Sequence, residues 1–138
     1  MADIVDRATR SRMMSGIGPR DTAPEIDVRR YLHAAGLRFR LHDRGLPGRP
    51  DIVLRKFRTV VQVHGCFWHR HKGCRFATVP ATNSNFWSAK FAGNVARDRR
   101  SSRELKRRGW QVLVIWECQS RRAVAADRLF WRIVSNEV

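Results

Sequence analysis

Residues 47–74 read PGRPDIVLRKFRTVVQVHGCFWHRHKGC, and this stretch decides the fold. Asp51–Leu54 and Thr59–His64 are rich in β-branched residues, and the short polar segment 55–58 separates them, which predicts a β-hairpin. One acid opens the hairpin, and three histidines, two cysteines and a Phe-Trp pair lie at or after its end. A stable core does not need this combination of side chains, whereas metal-dependent chemistry does.

A helix and a strand precede the hairpin in the sequence. Thr22–Gly36 is predicted to be helical because Thr22 can cap the N-terminus, Pro24 suits the first turn and the final glycine stops the helix. The alternation of apolar residues over 37–41 then predicts a strand. The buried stripe of the helix is predicted to be Val28, Leu32 and Ala35.

The part of the chain after the hairpin predicts two helices and one strand. Residues 65–83 are expected to be irregular, and residues 84–108 predict a helix with a break near Gly93. Trp110–Trp116 (WQVLVIW) is almost continuously apolar, which predicts a central strand covered on both faces. A closing helix is expected from Arg121 onwards.

The element order α-β-β-β-α-β-α predicts the fold class. It indicates a single α/β domain over residues 1–138, in which helices flank one mixed sheet. Residues 1–20 are polar and basic, and we expect them to form an arm or short helix ahead of the domain.

The charge balance indicates a polyanionic partner. The chain has 28 Lys and Arg against 12 Asp and Glu, a formal net charge of +16, which opposes compaction unless a polyanion such as nucleic acid binds. No apolar run approaches the roughly 18 residues of a membrane span, and the start has no apolar signal region, so we expect a cytoplasmic protein. The odd count of three cysteines argues against a disulfide framework and for reduced thiols.

Four side chains predict a zinc site. Cys66, His71 and Cys74 follow the pattern C-x4-H-x2-C, and Cys118 lies just beyond the last predicted strand. Three thiolates and one imidazole form a common closed tetrahedral zinc site, which would pin the irregular loop to the sheet. Alternatively, Cys118 is a small buried apolar residue and the other two cysteines are free thiols.

The acid of the hairpin is a candidate ligand for a catalytic cation. Asp51 opens the first strand, and His64 ends the second, with Gln62 two residues earlier on the same face. This arrangement resembles the nuclease pattern P-D…(D/E)-x-K, although Gln62 and His64 replace its second acid and its lysine. Mg²⁺ tolerates one carboxylate because it keeps several waters and binds phosphate oxygens. Alternatively, Asp51 is an acid that stabilises the preceding turn.

Three further candidates each have a structural alternative. Glu25 completes the motif Thr22-x-x-Glu25, a capping box, and the alternative to a catalytic role is therefore helix capping. His69 is either a zinc ligand or, with His64, a proton-transfer group. Asp98 either orients His69 or forms a surface ion pair.

The pair Phe67 and Trp68 is a candidate DNA wedge. Both lie in a loop that is too polar to bury them comfortably. They are expected either to insert between base pairs or to form a small satellite core around the zinc.

Taken together, these residues resemble the very short patch repair (Vsr) DNA mismatch endonucleases of bacteria. The matching motifs run in family order from about residue 2 to residue 118. They are ATRSRMM, RDTAPE, LPGRPDIV, HGCFWHRH, VPAT, FW, K-x3-NV-x-RDRR and GW-x-VL-x-IWEC.

The resemblance implies a restriction-endonuclease-like fold of the PD-(D/E)XK type with one structural Zn²⁺. It implies Mg²⁺-dependent nicking, with two ions, beside the T of T:G mismatches that arise from deaminated 5-methylcytosine. The partners it implies are mismatched double-stranded DNA and mismatch-repair proteins, and we expect a monomer associated with the nucleoid.

The resemblance also implies roles for individual residues. Asp51 and the carbonyl of Val63 match the Mg²⁺ ligands, and Glu25 matches a residue that holds metal-bound water. His69 matches the general base, and Asp98 matches its supporting acid. Cys66, His71, Cys74 and Cys118 match the zinc ligands, with one extra residue between His71 and Cys74.

The remaining matched residues would contact the phosphate or the bases. His64 matches a group that acts on the phosphate or on metal-bound water. The implied DNA contacts are Met14, Phe67, Trp68, Lys90 and Asn94. Two other functions stay open: a restriction-type endonuclease that cuts intact or modified sites, and a zinc-stabilised DNA-binding protein without catalysis.

Overall fold

The computed structural model describes residues 22–136, in which three helices flank one four-stranded sheet. The predicted N-terminal arm and Met14 lie outside the described residues. The order of the described elements confirms the predicted α-β-β-β-α-β-α succession. They are α1 (Ala23–Ala34), β1 (Arg40–Leu41), β2 (Ile52–Leu54), β3 (Thr59–His64), α2 (Ser84–Arg107), β4 (Gln111–Trp116) and α3 (Ala123–Val134).

The sheet is mixed and has the strand order β1-β2-β3-β4. β2 and β3 form the predicted antiparallel hairpin, joined by a short 3-10 turn, and β3 pairs in parallel with β4 after the crossover through α2. In this register His64 pairs with Trp116. The ends of β3 and β4 therefore lie side by side, and the loop after His64 begins next to the segment that carries Cys118.

Helices cover both faces of the sheet. α1 and α3 bury the larger cluster on one face, and the C-terminal part of α2 buries a smaller one on the other. The smaller cluster consists of Val53, Val60, Leu105 and Trp110. The larger cluster consists of Val28, Leu32, Leu37, Ile52, Leu54, Val61, Val63, Leu113, Ile115, Leu129 and Ile133.

Helix α1 begins as predicted but buries a different stripe. Thr22 is its N-cap, and the Thr22 hydroxyl accepts a hydrogen bond from the backbone N–H of Glu25 at 3.4 Å. Val28 and Leu32 are buried, but the prediction for Ala35 is wrong, since this residue is the exposed C-cap. The third buried position is Glu25, one turn before Val28, so α1 directs a carboxylate into the protein.

Two predictions about the neighbouring elements need correction. The predicted strand over 37–41 is reduced to the two residues of β1, because Leu37 and Phe39 pack on the core as loop residues. α2 continues without a break through Gly93, where nothing crowds the helix surface. It ends near Gly109, whose φ of +88° favours glycine.

Strand β4 is an edge strand of the described sheet, whereas the sequence predicted a central strand covered on both faces. Leu113 and Ile115 are buried, but Val114 on the opposite face is 41% exposed. α2 packs on this face only near the start of β4, through Leu105, and leaves the rest open. No helix between residues 22 and 136 is both long and apolar enough to cross a membrane.

Candidate active site

The uncovered face of β4 forms one wall of a cleft of about 1020 Å³. α2 forms the opposite wall, and the segment 42–51 borders it. Asp51, His64, His69 and Asp98 all line this cleft. Basic side chains from α2 and from the segment 42–51 also line it, namely Arg44, Arg49, Arg97, Arg99, Arg103 and Lys106. A polyanion is therefore the ligand that the electrostatics of the cleft favour.

Asp51 lies at the base of the cleft and is anchored to the hairpin. Its Oδ2 accepts a hydrogen bond from the backbone N–H of Val63 at 2.7 Å, and its own N–H donates to Gln62 Oε1 at 3.4 Å. Burial raises the pKa of Asp51 to about 7, and the negative charge of Glu25 adds to the increase, while the Val63 hydrogen bond opposes it. A cation at this carboxylate would favour the ionised form.

Glu25 is linked to Asp51 by two residues, Arg29 and His42, that the sequence analysis did not identify as candidates. Arg29 Nη2 donates to Glu25 Oε2 at 2.8 Å and lies 3.0 Å from His42 Nε2. His42 Nε2 is 3.4 Å from Glu25 Oε2, and His42 Nδ1 is 4.0 Å from Asp51 Oδ1. The ligand atoms of Glu25, His42 and Asp51 all lie within 4.8 Å of one another. Glu25 therefore lies buried beside Asp51, behind the cleft surface, as well as at the helix N-terminus.

His64, His69 and Asp98 form the second group of the cleft. The rings of His64 and His69 stack with centroids 4.0 Å apart and planes 6° from parallel. His69 Nδ1 is 2.6 Å from Asp98 Oδ2. An ionised carboxylate only accepts hydrogen bonds, so Nδ1 of His69 carries the hydrogen and its Nε2 remains available as a base. Asp98 thus pairs with His69, which is the contact that the predicted role of orienting His69 requires.

The His64 ring is neutral at physiological pH. Burial lowers the pKa of His64 to about 4, and the neighbouring His69 lowers it further, while Asp98 opposes the shift. A neutral imidazole can accept or donate one hydrogen bond at a phosphate or water.

The three cysteines and His71 converge at the end of the sheet. Their ligand atoms lie within 4.8 Å of one another, and His71 Nδ1 is 3.6 Å from Cys66 Sγ and 3.5 Å from Cys118 Sγ. Tetrahedral Zn–S and Zn–N bonds of about 2.3 and about 2.05 Å would place these atoms about 3.6 Å apart. The donor set and its spacing therefore fit a zinc ion, and His69 lies outside this set.

Trp116 lies between the cysteine cluster and the cleft. Its ring stacks on His71 with centroids 4.2 Å apart, and its edge meets His64 at 5.2 Å. The parallel pairing of β3 with β4 produces this arrangement, because it sets Trp116 beside His64. Sequence reasoning treated Trp116 only as part of a buried strand.

Phe67 and Trp68 belong to an aromatic cluster on α2. Phe67 contacts the rings of Trp68, Trp87 and Phe91 with centroids 5.0, 5.8 and 5.1 Å apart, and Trp68 lies 5.7 Å from Trp87. The cluster is half-buried apart from the buried Phe91. The satellite core expected as the alternative therefore exists, but it forms against α2. Trp87 was not predicted to belong to this cluster, although the motif FW at residues 86–87 was among those that match the family.

The two polar residues predicted to contact DNA lie next to Trp68. Lys90 Nζ is 5.6 Å from the centre of the Trp68 ring. Asn94 Nδ2 donates to the carbonyl of Trp68 at 3.3 Å, and its own carbonyl accepts from Arg97. Asn94 thus helps to fix the loop that carries Trp68.

Comparison with solved structures identifies the class of fold. The chain superposes on the catalytic domain of the homing endonuclease I-Bth0305I with a TM-score of 0.51 and 20% sequence identity, covering 83% of this chain and 93% of that domain. A mixed sheet flanked by helices, with this neighbour, is a restriction-endonuclease-like fold.

Sequence comparison then identifies the family. The family model for the DNA mismatch endonuclease Vsr matches residues 2–75. The chain is 50% identical over 121 residues to the DNA mismatch endonuclease Vsr of Escherichia coli (strain K12), covering 88% of this chain and 77% of that protein. It is 44% identical to the type II nicking enzyme V.XorIIP of Xanthomonas oryzae pv. oryzae, covering 86% and 87%. The chain belongs to the DNA mismatch endonuclease Vsr family, which makes it a DNA endonuclease and confirms the resemblance.

Proposed function

We propose that this protein nicks one strand of double-stranded DNA beside the T of a T:G mismatch, by Mg²⁺-dependent hydrolysis of the phosphodiester bond. The observation that carries the proposal is one basic cleft that holds both a buried hairpin carboxylate and a His–Asp pair, next to an aromatic cluster. Family membership supports it, since the Escherichia coli relative at 50% identity is a DNA mismatch endonuclease.

The residues around Asp51 fit Mg²⁺. Asp51 offers a buried carboxylate, the carbonyl of Val63 is the second proposed ligand, and Glu25, whose ligand atom lies within 4.8 Å of that of Asp51, would hold metal-bound water. When bound, two Mg²⁺ ions would activate the attacking water and stabilise the leaving oxygen.

The proton transfers are assigned to the second group of the cleft. His69 Nε2 would take the proton of the attacking water, while Asp98 holds the ring in the required tautomer and stabilises the imidazolium that forms. The neutral His64 ring, stacked on His69, would contact the scissile phosphate. Basic residues of the cleft walls would bind the flanking phosphates.

Selectivity is assigned to the aromatic cluster. Phe67 and Trp68, with Met14 from outside the described residues, would insert at the mismatch, and Lys90 and Asn94 would support the loop and contact DNA. A mismatched step stacks poorly, so insertion there costs less free energy than in intact duplex. We further propose that Cys66, His71, Cys74 and Cys118 bind one structural Zn²⁺, because this closed set leaves no open position for chemistry.

We also propose that the protein is a cytoplasmic monomer associated with the nucleoid and that it acts with mismatch-repair proteins, as the family resemblance implies. A second candidate function is sequence-specific nicking of intact sites, which the relatives called type II nicking enzymes support. A cleavage assay on paired duplexes that differ only in T:G against C:G distinguishes the two. We expect the T:G duplex to be nicked and the matched duplex to be spared, and equal cleavage would favour the second candidate.

A further inference from the structure

The group formed by Glu25, Arg29, His42 and Asp51 contains more than the proposed Mg²⁺ site requires. Three of its members offer ligand atoms within 4.8 Å of one another, and one of these atoms is an imidazole nitrogen. Two carboxylates and one imidazole suit Zn²⁺, Co²⁺ or Ni²⁺ better than Mg²⁺, which prefers oxygen ligands. Some feature must keep the imidazole out if the pocket is to favour Mg²⁺.

Arg29 is that feature, because its position fixes the hydrogen on His42. Arg29 Nη2 lies 3.0 Å from His42 Nε2. His42 Nε2 also lies 3.4 Å from Glu25 Oε2, but Arg29 Nη2 is nearer, and a guanidinium has donors only. Nε2 therefore accepts from Arg29, and the ring hydrogen lies on Nδ1. Nδ1 is the nitrogen that faces Asp51 Oδ1, at 4.0 Å. A protonated nitrogen has no lone pair for a metal, so His42 faces the pocket as a donor.

The charge of Arg29 acts in the same direction. The same Nη2 donates to Glu25 Oε2 at 2.8 Å, and the Glu25 side chain is 3% exposed, so this ion pair is shielded from solvent. It occupies one oxygen of Glu25 and neutralises one of the two negative charges in the pocket. Asp51 is then the carboxylate that is not paired with Arg29 in this group, and a single such oxygen ligand suits a hydrated oxygen-preferring cation.

We propose that Arg29 is a specificity-determining residue that holds His42 out of the ligand set and so makes the Asp51 pocket selective for Mg²⁺ over imidazole-preferring divalent cations. The inference rests on the proposed cation site at Asp51. Arg29 and His42 are positioning residues here, since neither touches the substrate or the cation.

Co²⁺ binding tests the proposal without reference to nicking. Zinc-loaded full-length protein would be titrated with Co²⁺ and, separately, with Mg²⁺ by calorimetry, and NMR would detect the paramagnetically shifted ring protons of a Co²⁺-bound histidine. Each protein would be compared with the same protein carrying Asp51→Ala, so that only Asp51-dependent binding counts and any exchange at the cysteine cluster cancels.

For Arg29→Met we expect Co²⁺ to bind at least about tenfold more tightly than in the wild type, with new shifted histidine signals. Arg29→Lys keeps a cationic donor and should behave like the wild type. The double variant Arg29→Met with His42→Gln should lose both the signals and the gain in affinity. Unchanged Co²⁺ affinity and no histidine signals in Arg29→Met would overturn the proposal.

A second variant covers the case in which Arg29→Met does not fold. His42→Gln in the wild-type background should leave the affinities for Co²⁺ and Mg²⁺ within about twofold, since His42 is not a ligand. A loss of about tenfold or more in either affinity would show that His42 binds the cation, and would overturn the inference. The absence of any Asp51-dependent cation binding in the wild type would instead refute the proposed cation site itself.

Discussion

The cleft and the cysteine cluster lie at the same end of the sheet but are assembled in opposite ways. The cysteine cluster takes three of its four ligands from nine consecutive residues, 66–74, and only Cys118 from elsewhere. The cleft takes Asp51 from the hairpin and Asp98 from α2, and Glu25 of α1 lies buried beside Asp51. The cysteine cluster is therefore formed mostly by one loop, whereas the cleft forms only when the helices pack against the sheet.

The two regions also differ in what holds their charged groups. In the cysteine cluster a metal would bind all four donors directly. Without a metal, burial raises the pKa of the Cys66 thiol to about 12. In the cleft, protein groups position the acids: Val63 N–H holds Asp51, and His69 pairs with Asp98. We therefore expect substitutions in the cleft to change chemistry with little loss of structure, and substitutions in the cluster to do the reverse.

The largest expected effect is that of Asp51→Ala on nicking. Because Asp51 is the acid of the hairpin that faces the cleft, its loss removes the cation anchor and should lower the nicking rate by about a thousandfold or more. Binding to T:G duplex and zinc content should stay unchanged. Glu104→Ala, on the solvent-facing part of α2, is the control and should nick normally. A rate for Asp51→Ala within about tenfold of the wild type would contradict the assignment.

Cys118→Ala should have the opposite signature. Cys118 is the proposed ligand that connects the loop to the end of β4. Its removal should lower the zinc content, and it should also lower the free energy of unfolding by several kcal/mol. Metal analysis and thermal unfolding of the same samples give both quantities. A variant that retains full zinc and full stability would show that the cluster does not bind a structural metal.

The stability of Asp51→Asn should depend on pH in a defined direction. The pKa of Asp51 is about 7 in the folded protein against an ordinary value of 3.8, so the folded state binds the extra proton between these values. The wild type then loses stability as pH rises from about 4 to about 7, and an Asn side chain, which cannot ionise, avoids this loss. An Asn oxygen can still accept the Val63 hydrogen bond.

The measurement is chemical unfolding at pH 4 and pH 8 without added Mg²⁺. The Asn variant should equal the wild type at pH 4 and exceed it by roughly 1–4 kcal/mol at pH 8. Added Mg²⁺ should raise the stability of the wild type at pH 8 and have little effect on the variant. Equal stability at pH 8 would mean that burial does not penalise the Asp51 carboxylate.

The sequence predicted the features that depend on neighbouring residues and missed those that depend on contacts between distant parts of the chain. The hairpin and the cysteine cluster were predictable because β-branched runs and ligand spacing are local signals. Arg29 and His42 were not, because their relation to Asp51 exists only after α1 packs against the sheet. The apolar run of β4 was misinterpreted for a similar reason. Hydrophobicity does not reveal that α2 leaves Val114 open as a wall of the cleft.

The smallest expected effect is that of Trp68→Ala on selectivity between mismatched and matched DNA. Trp68 lies in the aromatic cluster on α2, outside both regions compared above. Basic residues of the cleft supply the sequence-independent affinity, which should fall steeply with added salt in wild type and variant alike. Trp68 belongs to the cluster with Phe67 and Trp87 beside the cleft, and it would supply the part that depends on how easily the target step opens.

Removing Trp68 should therefore narrow the affinity gap between T:G and matched duplexes by about 1–3 kcal/mol, and leave the salt slope unchanged. Fluorescence anisotropy on both duplexes over a range of salt concentrations measures both quantities. Trp131→Ala, an exposed tryptophan on α3, is the matched control and should keep the full gap. Equal weakening on the two duplexes would instead assign Trp68 to the satellite core on α2, because a packing role has no reason to distinguish a mismatched step from an intact one.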